Sequence, residues 1–390
     1  MKCNRFFRAA ATVFCAAALP AFVSAQGQPA KGDPIVVGVH LDTGKQASYY
    51  SLLQRDAMLV FVKNLNRDGG INGRPVELVA EDDENNPVTA STKVEKFDSR
   101  GVQYIVSVGS SATGIGAQTK AQALKIPHGS PGNMATSLTK PIKSYYFRLA
   151  MSFDVGNEAL IEFMKKRGGS KPSVAVVRDT TESGLLLSDP LIKRIKEDSG
   201  LSLAAVEQVT PGSTDVTSQA LRVKAAKPDF VILAGASVAD LANYAKMQKT
   251  VGNNAPMLGT YLFVTPGFTK LAGAAAEGFV YTDNVDPDRP EVKKIEATLI
   301  ADGGDKYKNS PLAIIAWEYI RLVTDAMKRA PKIDRDAIRD AMEATRDWPS
   351  ALGPAGTMVN FSPVNHDLFT SSKQVVMREM RNGDIGPAIR

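Results

Sequence analysis

The sequence predicts an α/β protein made of two doubly wound parallel-sheet lobes. Three observations carry that reading. Short β-branched runs alternate with segments of helical periodicity, the pattern of parallel strands covered by helices on both faces. The alternation runs through residues 34–150 and begins again through 151–278. With 44% hydrophobic and 23% charged side chains, 390 residues supply enough apolar material for two or three cored domains.

The elements follow in order. Residues 35–39 (IVVGV) read as a buried strand. Over 49–66, Leu52, Leu53, Ala57, Val60, Phe61 and Leu65 share one helical face. The turn-rich stretch 68–75 stops that helix. A strand over 76–80 and a helix over 87–97 follow, with Asn86 as its cap. A strand over 104–108 leads through a small-residue loop into a helix ending at 124, and a short strand covers 126–128. In the second block, strands over 173–177, 203–209, 230–233 and 256–258 alternate with helices over 184–198, 215–225 and 238–249. A strand over 279–281 and a long amphipathic helix over 312–330 complete the pattern.

Residues 1–25 read as a secretory signal peptide rather than as part of the fold. Lys2, Arg5 and Arg8 form its charged start, residues 9–22 its apolar middle and Val23, Ser24 and Ala25 its small-residue end. Residues 26–33 form a polar lead-in. An uncleaved anchor helix and a lipoprotein at Cys15 are the other readings, and bulky Phe14 argues against the second. Both cysteines, Cys3 and Cys15, lie in this segment, so the exported chain is expected to hold no disulfide or thiolate site. The formal charge of +6 also shrinks there: 47 basic residues less these three leave 44 against 41 acidic ones. Nucleic acid is therefore not an expected partner.

Signatures of catalysis are missing. His40, His128 and His366 are not spaced as HExxH, and no GxSxG elbow occurs. The run Gly109–Gly114 has the GxxxxG spacing of a phosphate loop, but Ile115 and Gly116 stand where Lys and Ser/Thr would be needed. Acidic residues 81–84 lack calcium-loop spacing and read as a solvated loop after a strand. No cofactor is expected. What remains is a pair of small-residue loops at successive strand ends, 109–114 and 130–136. In an open parallel sheet, ligands bind at the carboxyl ends of strands. A helix N-terminus there offers free N–H groups and positive dipole potential to a carboxylate.

Several motifs resemble one family. They are Gly38-Val39 leading to Thr43-Gly44, the stretch NRDGGINGRPV at 66–76, Gly129-Ser130-Pro131, Tyr146-Phe147-Arg148-Leu149 and LAGAAAEG at 271–278. Over about residues 34–380 the chain resembles the periplasmic Leu/Ile/Val-binding proteins, the type I solute-binding proteins of ABC importers. The resemblance implies a clamshell whose two lobes are joined by a three-crossover hinge near 148–152, 278–281 and 352–358. Lobe one would combine 34–150 with 279–352, and lobe two 151–278 with 353–390. Ligand would close the lobes, and permease subunits in the membrane would read the closed form.

The resemblance also places ligand-binding residues. Its ligand-facing aromatic falls on Tyr49, and the hydroxyl for the ligand carboxylate on Ser111, beside Ser110. The second loop falls on Gly132, Asn133 and Met134, and the second-lobe positions on Ser183 and on Ala236 or Ser237. The acid that pairs with an α-ammonium in that family falls on Tyr261, which carries no charge near neutral pH. An amino-acid ligand then needs another acid, Glu182, Asp283 or Asp286, because an unpaired buried ammonium is costly. The other reading is an aromatic or other non-amino organic acid or amide. The expected role is that of an exported, periplasmic, non-enzymatic solute-binding protein serving a permease. A ligand sensor for a signalling receptor would have the same features.

Overall fold

A computed structural model describes residues 30–44, 48–263 and 266–389. The signal peptide expected over 1–25 lies outside the described residues.

The first block holds β1 (Ile35–Leu41), α1 (Ser48–Arg67), β2 (Val76–Asp82), α2 (Pro87–Ser99), β3 (Tyr104–Ser107), α3 (Ser111–Ala123), β4 (His128–Ser130) and β5 (Tyr146–Arg148). These strands form one parallel sheet in the order β2-β1-β3-β4-β5. β1 is buried along nearly its whole length, as a strand covered on both faces must be. Local chemistry fixes the helix starts. Asn86 Oδ1 accepts from the N–H groups of Val88 (2.8 Å) and Thr89 (3.0 Å), and Pro87 needs no partner. β4 lies two residues beyond the expected 126–128, because His128, not Ile126, pairs with Ile105 of β3.

The second block holds α4 (Phe153–Arg167), β6 (Ser173–Asp179), α5 (Glu182–Glu197), β7 (Ser202–Val209), α6 (Thr217–Ala225), β8 (Phe230–Ala234), α7 (Val238–Thr250), β9 (Met257–Gly259), α8 (Pro266–Ala272) and β10 (Val280–Asp283). The chain returns through α9 (Pro290–Gly303), α10 (Pro311–Arg329) and α11 (Arg335–Glu343). A small ribbon of β11 (Trp348–Pro349) and β12 (Met358–Val359) follows, and then β13 (Val376–Glu379). The second sheet has the order β13-β10-β9-β8-β6-β7, parallel except at β13. α10 packs on α1, with Phe61 edge-on to Trp317 at 5.0 Å.

Two expected boundaries are corrected. The strand expected to open the second segment of lobe one, β10, belongs to the second sheet. Val280 pairs with Leu258 of β9 and with Glu379 of β13. The chain passes back to lobe one only after Asp283. Residues 353–367, expected in lobe two, stay with lobe one. Phe361 N–H donates to Thr345 C=O (3.0 Å), His366 stacks on Phe147 and Asp367 extends the first sheet beside Arg148. The third passage therefore follows Asp367 instead of lying near 352–358.

Candidate ligand-binding cleft

In both sheets the strand order reverses beside the first strand of its block. β1 lies between β2 and β3, and β6 between β7 and β8. Such reversals open a crevice at the carboxyl ends of the strands. The loops after β3, β4, β6 and β8 meet there around a cavity of about 270 Å³.

On the first lobe, hydroxyls tie two loops together. Ser110 caps α3, its Oγ accepting from Thr113 N–H at 3.3 Å. Ser130 Oγ accepts from Gly132 N–H (2.9 Å) and Asn133 N–H (2.8 Å). Ser111 Oγ accepts from Met134 N–H (3.0 Å) and Ala135 N–H (3.1 Å). A hydroxyl has two acceptor sites and one proton. With both acceptor sites filled, Ser111 keeps only its proton to offer, at the N-terminus of α3 and on the cleft wall. The arrangement makes Ser111 a dedicated donor, suited to an anion.

On the second lobe one carboxylate does the tying. Buried Asp179, at the end of β6, accepts from Thr181 N–H (2.9 Å) and Ser237 N–H (2.6 Å). Thr181 in turn caps α5 through Gly184 N–H (3.0 Å). Gly184 and Gly235 leave room for this carboxylate: a Cβ at either would sit 2.1–2.2 Å from its oxygens. Asp179 thus spends its charge on backbone donors and presents Thr181, Glu182, Ser183 and Ala236 to the cleft.

Of the residues expected from sequence, Ser110, Ser111, Gly132, Met134, Ser183, Ala236 and Tyr261 line the cleft. Three do not. Tyr49 is 48% exposed and outside the lining, and the next residue, Tyr50, takes that place with its hydroxyl donating to Leu262 C=O at 3.2 Å. Asn133 is fully buried behind the wall, donating to Ser107 Oγ at 2.8 Å. Ser237 turns its hydroxyl to Asp240 and its N–H to Asp179.

Sequence reasoning missed Tyr50, Gln54, Asn85, Phe153, Thr181 and Leu262. Gln54 carried a signal: a polar residue beside the apolar stripe of α1, one turn from Tyr50. It is 2% exposed and has no hydrogen-bond partner among the described residues. Tyr261 is equally buried, and its hydroxyl likewise has no partner among the described residues. Burial raises the Tyr261 phenol pKa above its ordinary value, with Tyr50 and Asp283 adding to the effect, so the ring stays neutral.

Glu182 is the one carboxylate in the lining, exposed at the edge of the second lobe. Asp283 is fully buried and engaged by Arg378 Nη1 (2.8 Å) and Val285 N–H (3.0 Å). Burial raises its pKa to about 6 against the pull of Arg378. Asp286 lies outside the lining. The acidic run 81–84, expected as a solvated loop, is instead largely engaged. Glu81 pairs with Lys96 (2.7 Å) and Arg100 (2.9 Å), and buried Asp83 accepts from His40 (2.8 Å). Among the described residues no cluster of His, Cys, Asp and Glu could hold a metal ion, and no helix is long and apolar enough to cross a membrane.

A family model described as periplasmic binding protein matches residues 34–372. The chain belongs to the periplasmic binding protein family. Its curated relatives in this family include a leucine-, isoleucine-, valine-, threonine- and alanine-binding protein of Pseudomonas aeruginosa, 23% identical over 303 residues. That match covers 77% of this chain and 80% of the relative. A Leu/Ile/Val-binding protein homolog of Brucella abortus is 25% identical over 348 residues, 88% of this chain and 90% of the relative. Among solved structures, the branched-chain amino acid transporter substrate-binding protein LivJ of Streptococcus pneumoniae, in complex with isoleucine, superposes with a TM-score of 0.80. Identity is 19%, over 91% of this chain and 99% of that one. A type 1 periplasmic binding protein of Bordetella pertussis gives 0.80 at 20% identity, over 92% and 100%. The two sheets and their three connections are those of a type I periplasmic binding protein.

Proposed function

We propose that this family member captures a small carboxylate-bearing solute between its lobes and delivers it to the permease subunits of an ABC importer of the branched-chain amino acid type. The observation that carries the reading is Ser111, whose proton is left free to donate into the cleft at the head of α3. A carboxylate there also meets the unbonded first N–H groups of the helix and the positive end of its dipole. The cleft suits a small ligand, since about 270 Å³ falls just under the range of roughly 300–1,000 Å³ typical of drug-sized sites. A ligand that touches both walls favours the closed arrangement by its differential affinity, and the permease recognises that arrangement. The charged start and apolar middle of residues 1–25 support export to the periplasm.

A thermal-shift screen of the exported chain against amino acids, aromatic acids and short organic acids, with uncharged sugars and simple cations alongside, tests this. A true ligand at about 100 times its Kd adds roughly 2.7 kcal/mol of apparent stability. A screen in which only uncharged sugars or cations shift the melting point would reject the reading.

A further inference from the structure

Gly132, Gln54 and Tyr261 form one corner of the cleft. A Cβ on Gly132 would lie 3.0 Å from the Gln54 amide nitrogen and 3.0 Å from the Tyr261 hydroxyl, so both polar groups converge over that glycine. Each residue is 2% exposed and lines the cleft, and neither side chain has a hydrogen-bond partner among the described residues. Polar groups that line a cavity with no protein partner in reach are open to hydrogen bonds from whatever fills it. The corner adjoins the carboxylate donor, since Gly132 is two residues from Met134, whose N–H holds Ser111.

We infer that this corner selects a ligand whose group beside the carboxylate is an uncharged hydrogen-bonding one, an oxo or hydroxyl oxygen, over one bearing an ammonium. The inference rests on the carboxylate reading above and specifies its substrate class. The Gln54 amide N–H and the Tyr261 O–H are donors that an oxo oxygen accepts, and a hydroxyl can accept one and donate to the amide oxygen. An ammonium needs counter-charge when it leaves water. The corner supplies none: Gln54 is neutral, Tyr261 stays protonated, and Asp283 is already engaged by Arg378. Glu182 is exposed at the edge of the second lobe, on the loop after β6 rather than in this corner.

Calorimetry on the exported chain with matched sets decides the matter. Each set holds one carbon skeleton, aliphatic or aromatic, as its 2-oxo acid, 2-hydroxy acid and 2-amino acid. The oxo or hydroxy acid is expected to bind at least tenfold tighter than the amino acid. Gln54→Glu, which puts a carboxylate in the corner, is expected to shift that ratio at least tenfold toward the amino acid. Tyr261→Phe is expected to weaken the oxo acid with the melting point retained, and it serves if Gln54→Glu does not fold. An amino acid ahead of its oxo and hydroxy partners in the unmodified chain overturns the inference and leaves carboxylate capture standing. If no acid in any set binds, both fall together.

Discussion

At the scale of single residues, the cleft is governed by which lone pairs are already spoken for. If Ser111 donates to a ligand carboxylate as proposed, Ser111→Ala should cost roughly 1.5–3 kcal/mol, or about 10–150-fold in affinity for that ligand. It also orphans the buried N–H groups of Met134 and Ala135, so the melting point should fall as well. Calorimetry well below the melting point separates the two effects, and unchanged affinity there would remove Ser111 from the site. His128 offers a second test. Burial lowers its pKa from 6.5 to about 4, and among the described residues its one hydrogen-bond partner is Ile126 C=O (3.0 Å). The unfolded chain therefore takes up a proton first as pH falls. Stability is whole above about pH 6.5 and declines toward pH 4, by roughly 3 kcal/mol from this group. Denaturant melts of His128→Gln should show a shallower acid decline than the parent. The same scale shows where sequence reading stopped. It found the right turn of α1 but chose Tyr49 over Tyr50, and one residue on a helix is a rotation of about 100°. The resemblance placed Asn133 and Ser237 in the site, whereas both spend their polar groups on neighbours in the protein.

At the scale of elements, strands and caps were legible because their causes are local. The β-branched run of β1, the Asn86 cap of α2 and the alternation through β8 all lie in contiguous residues. α4 was not foreseen: Gly156 and Asn157 interrupt its apolar stripe, and both are buried only because α4 packs on distant elements. α11 was missed for a related reason, its buried stripe being thin, with two alanines among four residues. The assignment of β10 to the second sheet was illegible in principle. Its membership depends on pairing with β9 and with β13, nearly a hundred residues away. The wall of the second lobe depends on one long-range device, Asp179, which ties the head of α5 to the start of α7. Hydrogen bonds to a charged acceptor contribute roughly 1.5–3 kcal/mol each, so Asp179→Ala should cost about 3 kcal/mol or more. Hydrogen exchange should quicken at Thr181 and Ser237 together, and ligand affinity should drop without any direct contact being lost. Faster exchange at Thr181 alone would show that the two loops are held independently.

At the scale of the whole molecule, three passages join the lobes, and their ends are held unequally. Buried Arg148, where the first passage leaves β5, donates to Asp367 (2.9 Å), Ala135 C=O (2.8 Å) and Thr139 Oγ1 (2.7 Å). It thereby fixes the start of the third passage to the start of the first. Met151 N–H donates to Asn284 Oδ1 (2.8 Å), which links the first passage to the second. On the far side Arg378 clamps Asp283, the last residue of β10. Between these anchors few residues are left to turn, and hinge motion concentrates in a few such positions. The lobes should then move as rigid bodies about the passages, with both cleft walls kept intact by the Ser111 and Asp179 ties. X-ray scattering should report a smaller radius of gyration at saturating ligand than without it. Arg148→Met, which frees the first and third passages from each other, should broaden the ligand-free ensemble and leave the ligand-bound radius close to that of the parent. Equal radii with and without a ligand that calorimetry shows to be bound would sink closure as the proposed signal to a permease, because a partner would then have one shape to read in both states.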